Sequence, residues 1–209
     1  MKKKAAKAYH HGDLKQALVK ACLAWVEKKG TESLSLRALA QQIGVSHAAT
    51  YRHFQDKNDV LQALAEEGFR IFHEYLEKAL QIKNKTAEQR FIEQGLQYIR
   101  FAKAHREHFQ LMWSADIQRN KSEGVKREAE RSFQALLTAT EEWKAEQAVR
   151  CDSMEIALQA WIQVHGTATL ILSNQFQDDP LDDQFVRRNI ERMLSSFAKG
   201  KSPARRCSL

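Results

Sequence analysis

The chain has 209 residues and a formal net charge of +7, and only 2 prolines and 8 glycines interrupt it. That length buries a good core as one domain, or as two small ones sharing a long helix, and so few breakers exclude the turn-dense spacing of an all-β protein. Three widely spaced cysteines, Cys22, Cys151 and Cys207, argue against a disulfide framework or a paired-cysteine zinc site, and no run of about 18 apolar residues exists to cross a membrane.

An all-α protein of a reducing cytoplasm is therefore expected, without a leader, because the charged start Met1 to Ala8 has no apolar segment behind it. From Asp13 to Lys29 the residues Leu14, Ala17, Leu18, Ala21, Trp25 and Val26 recur at three- and four-residue steps. This is a helix stripe with Asp13 placed to cap it and Gly30 to end it. Ser35 is the next cap, and Leu36, Leu39, Ala40 and Ile43 make a two-turn helix that Gly44 stops. Val45 fills the turn, Ser46 caps a third helix, and Tyr51 and Phe54 follow at three-residue spacing. Asp56 caps a long helix from Lys57 to about Lys83, whose stripe from Val60 to Leu80 outruns the first three.

Beyond the polar break Lys83 to Thr86, helical periodicity covers about Glu88 to Ala104 and Arg106 to Trp113. The polar stretch Asp116 to Gly124 reads as a loop. Helices are then expected over Val125 to about Trp143, Cys151 to Ser173 and Leu181 to about Lys199. Asp178-Asp179-Pro180 announces the last of them, with Asp182 and Asp183 placed to suit its dipole. The expected organisation is a basic arm over 1–12, a helix-turn-helix domain over 13–56, a connecting helix over 57–83, a helical domain over 84–199 and a loose tail over 200–209.

The stretch Leu34 to Lys57 is the pattern of a DNA-reading helix-turn-helix: two short helix signals joined by a glycine turn in a basic chain. The second helix of such a unit lies in the major groove with its first residues at base edges, so small or polar side chains belong there. His47, Ala48 and Ala49 fit that position, the histidine as donor or acceptor and the alanine methyls against thymine or simply out of the way. Arg37 reaches a guanine or a phosphate, and Tyr51, Arg52, His53 and Lys57 offer donors to phosphates. Ser35, Ser46 and Thr50 complete the expected contact set. Tyr51 and Phe54 also suit the core. Lys2, Lys3, Lys4 and Lys7 form an arm suited to the DNA backbone or a minor groove, or else a solvated tail.

The order Leu-Ser-Leu-Arg-Ala-Leu-Ala, then Gly44-Val45-Ser46, Tyr51-Arg52-His53-Phe54 and Lys57 closely resembles the DNA-binding domain of TetR-type transcriptional repressors. Tyr9-His10-His11-Gly12-Asp13-Leu14 resembles the lead-in of one branch of that family. Trp161, His165 and Gly166 look like a signature of that branch's regulatory domain. The resemblance departs from the commonest pattern at Thr50, where the family usually has a larger aliphatic residue. It implies an all-helical homodimer in the bacterial cytoplasm, whose C-terminal domain dimerises and holds a small-molecule effector that alters the spacing of two reading heads on operator DNA.

Trp161 and His165 lie four apart, on one helix face, and are expected to border an effector pocket also walled by Phe91, Tyr98, Phe109, Met112, Trp113 and Met154. The competing expectation is plain core packing with His165 bonded to a backbone carbonyl. Gly166 in mid-helix calls for the close approach of another helix. The helices Cys151 to Ser173 and Leu181 to Lys199 carry enough apolar residues for a four-helix interface between two copies. No phosphate loop, Gly-x-Ser-x-Gly, paired-cysteine pattern or His-Glu-x-x-His organises catalysis, so no enzyme, cofactor or metal is expected. His10 with His11 lack a third ligand nearby, and His105 with His108, three apart, could clip a metal but for Glu107 between them, which points elsewhere on the helix. The alternatives are a metal- or redox-responsive DNA-binding regulator, or a non-specific nucleic-acid-binding protein.

Overall fold

A computed structural model describes residues 11–174 and 181–199. The lysine arm, His10, the Asp178-Asp179-Pro180 signal, Cys207 and the tail lie outside the described residues. Among the described residues there are ten α-helices and no strand, so the all-α expectation holds. They are α1 (His11–Lys29), α2 (Leu36–Ile43), α3 (His47–Tyr51), α4 (Lys57–Leu80), α5 (Ala87–Ala104), α6 (Arg106–Met112), α7 (Ala115–Arg119), α8 (Glu123–Gln147), α9 (Ser153–Leu172) and α10 (Asp183–Ala198). Two compact units divide the chain: residues up to Phe69 with Glu107–Arg127, and Arg70–Arg106 with the residues from Glu128 onward.

In the first unit, Leu18, Leu39, Val60, Leu64 and Phe69 are sealed from solvent, which draws α1, α2 and the first half of α4 around one core. Burial in that core pushes the Cys22 thiol up to about 12, so this cysteine is an inert filler. Gly44 sits at φ 75° and returns its N–H to the end of α2, while the Val45 N–H reaches the Ala40 carbonyl at 3.0 Å. A residue with a Cβ is strained in that left-handed conformation, and this is what turns the chain sharply into α3.

Beyond shifts of a few residues at the ends of α4, α8, α9 and α10, three placements differ from expectation. The helix α1 already includes His11, the first described residue, so Asp13 lies inside the helix and not at its cap. Phe54 falls after α3, buried at the entry to α4. The expected loop Asp116 to Gly124 overlaps α7, which Ser114 starts by accepting from the Ile117 N–H while Ile117 itself is fully buried.

In the second unit, α5 packs on α9 and α10, and Gly95 permits it: a Cβ there would collide with Ile190 and press on Val164 at 3.3 Å. Phe72 on α4 meets Tyr98 and Phe101 at ring separations of 4.9 and 5.0 Å. Also on α5, the largely buried Glu93 accepts from Arg100, which also holds Asp183 at the start of α10. Burial alone would raise the Glu93 pKa, but hydrogen bonds from Gln97 and Arg100 and the charges of Arg100 and Lys85 outweigh it and keep the carboxylate ionised.

The helix α9 is buried on one side only. Met154, Leu158, Ile162 and Leu170 are 44%, 39%, 67% and 41% exposed, at positions that recur every four residues. Gly166 completes that row, and nothing lies within 4 Å of where its Cβ would be. Among the described residues no second helix approaches Gly166, contrary to expectation. Apart from Tyr51, these four are the exposed large hydrophobics among the described residues.

Candidate nucleic-acid interface

The first unit presents the predicted reading residues from two capped helices. Ser35 Oγ accepts from the Ala38 N–H at 3.1 Å and Ser46 Oγ accepts from the Ala49 N–H at 3.3 Å. Each hydroxyl spends an acceptor on its cap and keeps its own proton, which is what a phosphate oxygen requires. Arg37, His47, Ala48, Tyr51 and Arg52 are exposed and Ala49 is half-buried. Tyr51 exposes 58% of its surface, an unusual state for an aromatic ring with a core close by.

Three residues are placed differently. Thr50 is completely buried, its hydroxyl donating to the His47 carbonyl at 2.7 Å, so it braces α3 from within and has nothing to offer a base. His53 is half-buried, with a buried Nε2 that has no hydrogen-bond partner. Lys57 directs its ammonium to the Glu32 carbonyl at 3.4 Å, tying the loop after α1 to α4 with two N–H groups left over. The resulting face combines small side chains on the first turn of α3 with donors around its rim, and it carries no carboxylate among the named residues. That chemistry suits a groove bordered by phosphates.

The second unit gathers a different group. The Tyr98 hydroxyl lies 2.8 Å from His165 Nδ1, and Trp161 hydrogen-bonds the same oxygen. Burial pushes the phenol well above its ordinary pKa and holds His165 below its own, so both are neutral. Trp161 donates to Tyr98 and Tyr98 donates to Nδ1, which leaves the histidine proton on Nε2. This replaces the backbone carbonyl expected for His165. Phe133 on α8 packs on Trp161 at 5.9 Å. No sequence signal singled out Phe133. Of the other expected pocket residues in this unit, Phe91 is buried beside Trp143 at 6.5 Å and Met154 is exposed. Phe109, Met112 and Trp113 belong to the first unit, where Trp113 meets Phe69 edge-on at 5.4 Å and Met112 Sδ would stand 2.7 Å from a Cβ on Gly68.

His105 stacks edge-on against Tyr75 at 5.6 Å, and burial together with the Lys78 charge lowers its pKa. His108 lies in the other unit and is buried. Among the described residues no three His, Cys, Asp or Glu are gathered as a metal ion requires. Since folding depresses both His105 and His165, the unfolded chain binds more protons than the native one as pH drops through the ordinary histidine value. The stability they permit is complete above about pH 6.5 and is lost below it. Thermal melts at pH 7.5 and 5.5 are expected to show a larger fall for the wild type than for His165→Gln.

Residues 18–64 match the family model described as bacterial regulatory proteins, tetR family, and residues 91–193 match the one described as tetracyclin repressor-like, C-terminal domain. The tetracycline repressor protein class C of Escherichia coli is 37% identical over 59 residues, which are 28% of this chain and 27% of that protein. The matched part is thus about a quarter of that relative's length. A solved structure of a protein of unknown function from Rhodococcus sp. RHA1 is 33% identical, with a TM-score of 0.82 over 92% of this chain and 100% of that one. A variant of TetR from Acinetobacter baumannii AYE, solved in complex with minocycline, has the same fold at a TM-score of 0.60 and 20% identity, covering 90% of this chain and 98% of that one.

Proposed function

The chain belongs to the TetR family of bacterial regulatory proteins, and we propose that it is a non-enzymatic, ligand-responsive repressor that binds a near-palindromic operator as a homodimer. The observation that carries the DNA-binding half is the exposed first turn of α3, with His47, Ala48 and Ala49 at its tip and Arg37, Tyr51 and Arg52 around it. Two copies set recognition helices in successive major grooves, roughly 34 to 36 Å apart or somewhat more. The row Met154, Leu158, Ile162, Gly166 and Leu170 on α9 supports the homodimer. A glycine facing open space in one copy is where the helix of a second copy can come close.

The effector half rests on Trp161, Tyr98 and His165, a neutral polar relay set among aromatic rings. An effector that binds better to a conformation with mis-spaced reading heads draws the population off DNA. The minocycline held by the Acinetobacter protein supports a small-molecule effector of this kind. The helix α4, continuous from Lys57 to Leu80, is the coupling element.

Selection of bound fragments from genomic DNA tests the proposal. A repressor prefers its operator over random DNA by about 10³-fold or more, whereas binding that tracks charge alone shows no such ratio. The genes beside the recovered site suggest compounds to try as effectors. With one of these, Trp161→Ala is expected to raise the concentration that releases the operator by about 10-fold or more at unchanged operator affinity. Loss of the helical signal in that variant would mean that Trp161 serves the core alone.

A further inference from the structure

Gln62, on the second turn of α4, is only 5% exposed. Both ends of its amide are satisfied by the backbone that joins α7 to α8: Nε2 donates to the Asn120 carbonyl at 2.9 Å and Oε1 accepts from the Ser122 N–H at 3.0 Å. Ser122 is the residue from which α8 starts, since its Oγ accepts from the Val125 N–H at 3.2 Å and its carbonyl accepts from the Lys126 N–H at 2.9 Å. One turn further along α4, Glu66 accepts from Arg127 Nη2 at 2.8 Å, and a Cβ on Gly124 would run into the Glu66 carboxylate. The same stretch of α4 buries Val60, Leu61 and Leu64 in the core of the unit that carries α2 and α3, and Lys57 at its start holds the Glu32 carbonyl.

We infer that Gln62 is the positioning residue through which the reading head senses α8. The inference rests on the operator-binding reading above. A bond at each end of one amide leaves little slack, because hydrogen bonds weaken steeply once stretched or bent. Displacing Ser122 by about 1 Å relative to α4 breaks at least one of the two and strands a buried polar group, so the joint is either closed or open with little between. While it is closed, the first turn of α8 and the N-terminal half of α4 move as one piece. The helix α8 continues without a break to Gln147, beyond the limit of this unit at Arg127. A change felt along that helix therefore arrives at a residue of α4 that sits among the core contacts of the reading head.

Coupling of this kind is reciprocal, so it can be tested from the DNA end with no effector in hand. Hydrogen exchange is measured on the full chain, free and bound to a synthetic duplex carrying the selected operator. In the wild type the duplex is expected to change exchange over residues 120–127 by about 5-fold or more. Gln62→Met matches the length of the side chain without its bonds; it should bind the duplex within about 3-fold of wild type and show less than about a 2-fold change over that segment. Should Gln62→Met fail to fold, Gln62→Glu, which keeps the acceptor for Ser122 and loses the donor to Asn120, is expected to show a reduced change. A purely structural clamp would alter exchange equally with and without DNA. A bound duplex that leaves residues 120–127 unchanged in the wild type, or a full response in the variants, overturns this inference alone; no binding of any selected duplex overturns the operator reading along with it.

Discussion

Ile162→Asp is expected to turn the proposed dimer into a monomer and to lower operator affinity by about three orders of magnitude. The side chain is 67% exposed in the middle of a 20-residue helix, with Leu158 one turn before it and, past Gly166, Leu170 two turns after it. A soluble chain rarely keeps so continuous an apolar row in water, so a partner surface is the natural account of it. In a twofold interface the same residue is met twice, and each carboxylate introduced there loses its water without gaining a cation. The effect on DNA follows from linkage between two weak half-site contacts. Once one head is seated, the second binds at the effective concentration its tether provides, and losing that advantage costs about 10²- to 10⁴-fold. Light scattering reports the mass and fluorescence anisotropy with a labelled operator reports the affinity. A variant that remains dimeric and binds as the wild type does would remove this face of α9 from the interface.

Much of this architecture was legible in the sequence because it rests on local physics. Gly44 is followed at once by the turn that its left-handed conformation allows, and Ser35 and Ser46 cap the helices they precede. The helix α7 escaped notice because five residues are too few for a periodic signal; one buried isoleucine and one serine cap hold it. Thr50 carried a polar letter at a position facing the reading residues, and only the reach of its hydroxyl to a carbonyl three residues earlier reveals that it points inward. Tyr98 and His165 are 67 residues apart, so their pairing belongs to tertiary packing and no spacing rule could supply it. Gly166 was read from helix propensity as a sign of crowding. The open space above it changes the meaning: Gly166 lies in the exposed apolar row of α9 that the proposed dimer covers.

Ala48→Glu is expected to weaken operator binding by about 10³-fold while leaving the melting temperature and the oligomeric state as they are. Ala48 lies exposed on the first turn of α3, beside His47 and ahead of the exposed ring of Tyr51. A glutamate there is harmless to the free protein, since the propensity cost is a few tenths of a kcal/mol and a negative charge suits a helix N-terminus. In the groove the balance reverses. In the proposed complex the carboxylate must shed water between two phosphate strands whose charge it shares, a cost of about 2 kcal/mol for each head. In the proposed dimer two heads bind at once, so the penalty counts twice, and about 4 kcal/mol is a factor of about 10³. Arg37→Ala supplies the contrast, because it removes one contact and adds no repulsion. If Arg37 reads a guanine, the loss is about 1 to 3 kcal/mol and choice relaxes at a single base pair; if it meets a phosphate, binding weakens evenly across sequences and the salt slope falls by about 1. Titrating both variants against a library of operator mutants at two salt concentrations separates these outcomes. An Ala48→Glu protein that still held the operator at wild-type strength would show that the tip of α3 does not enter the groove.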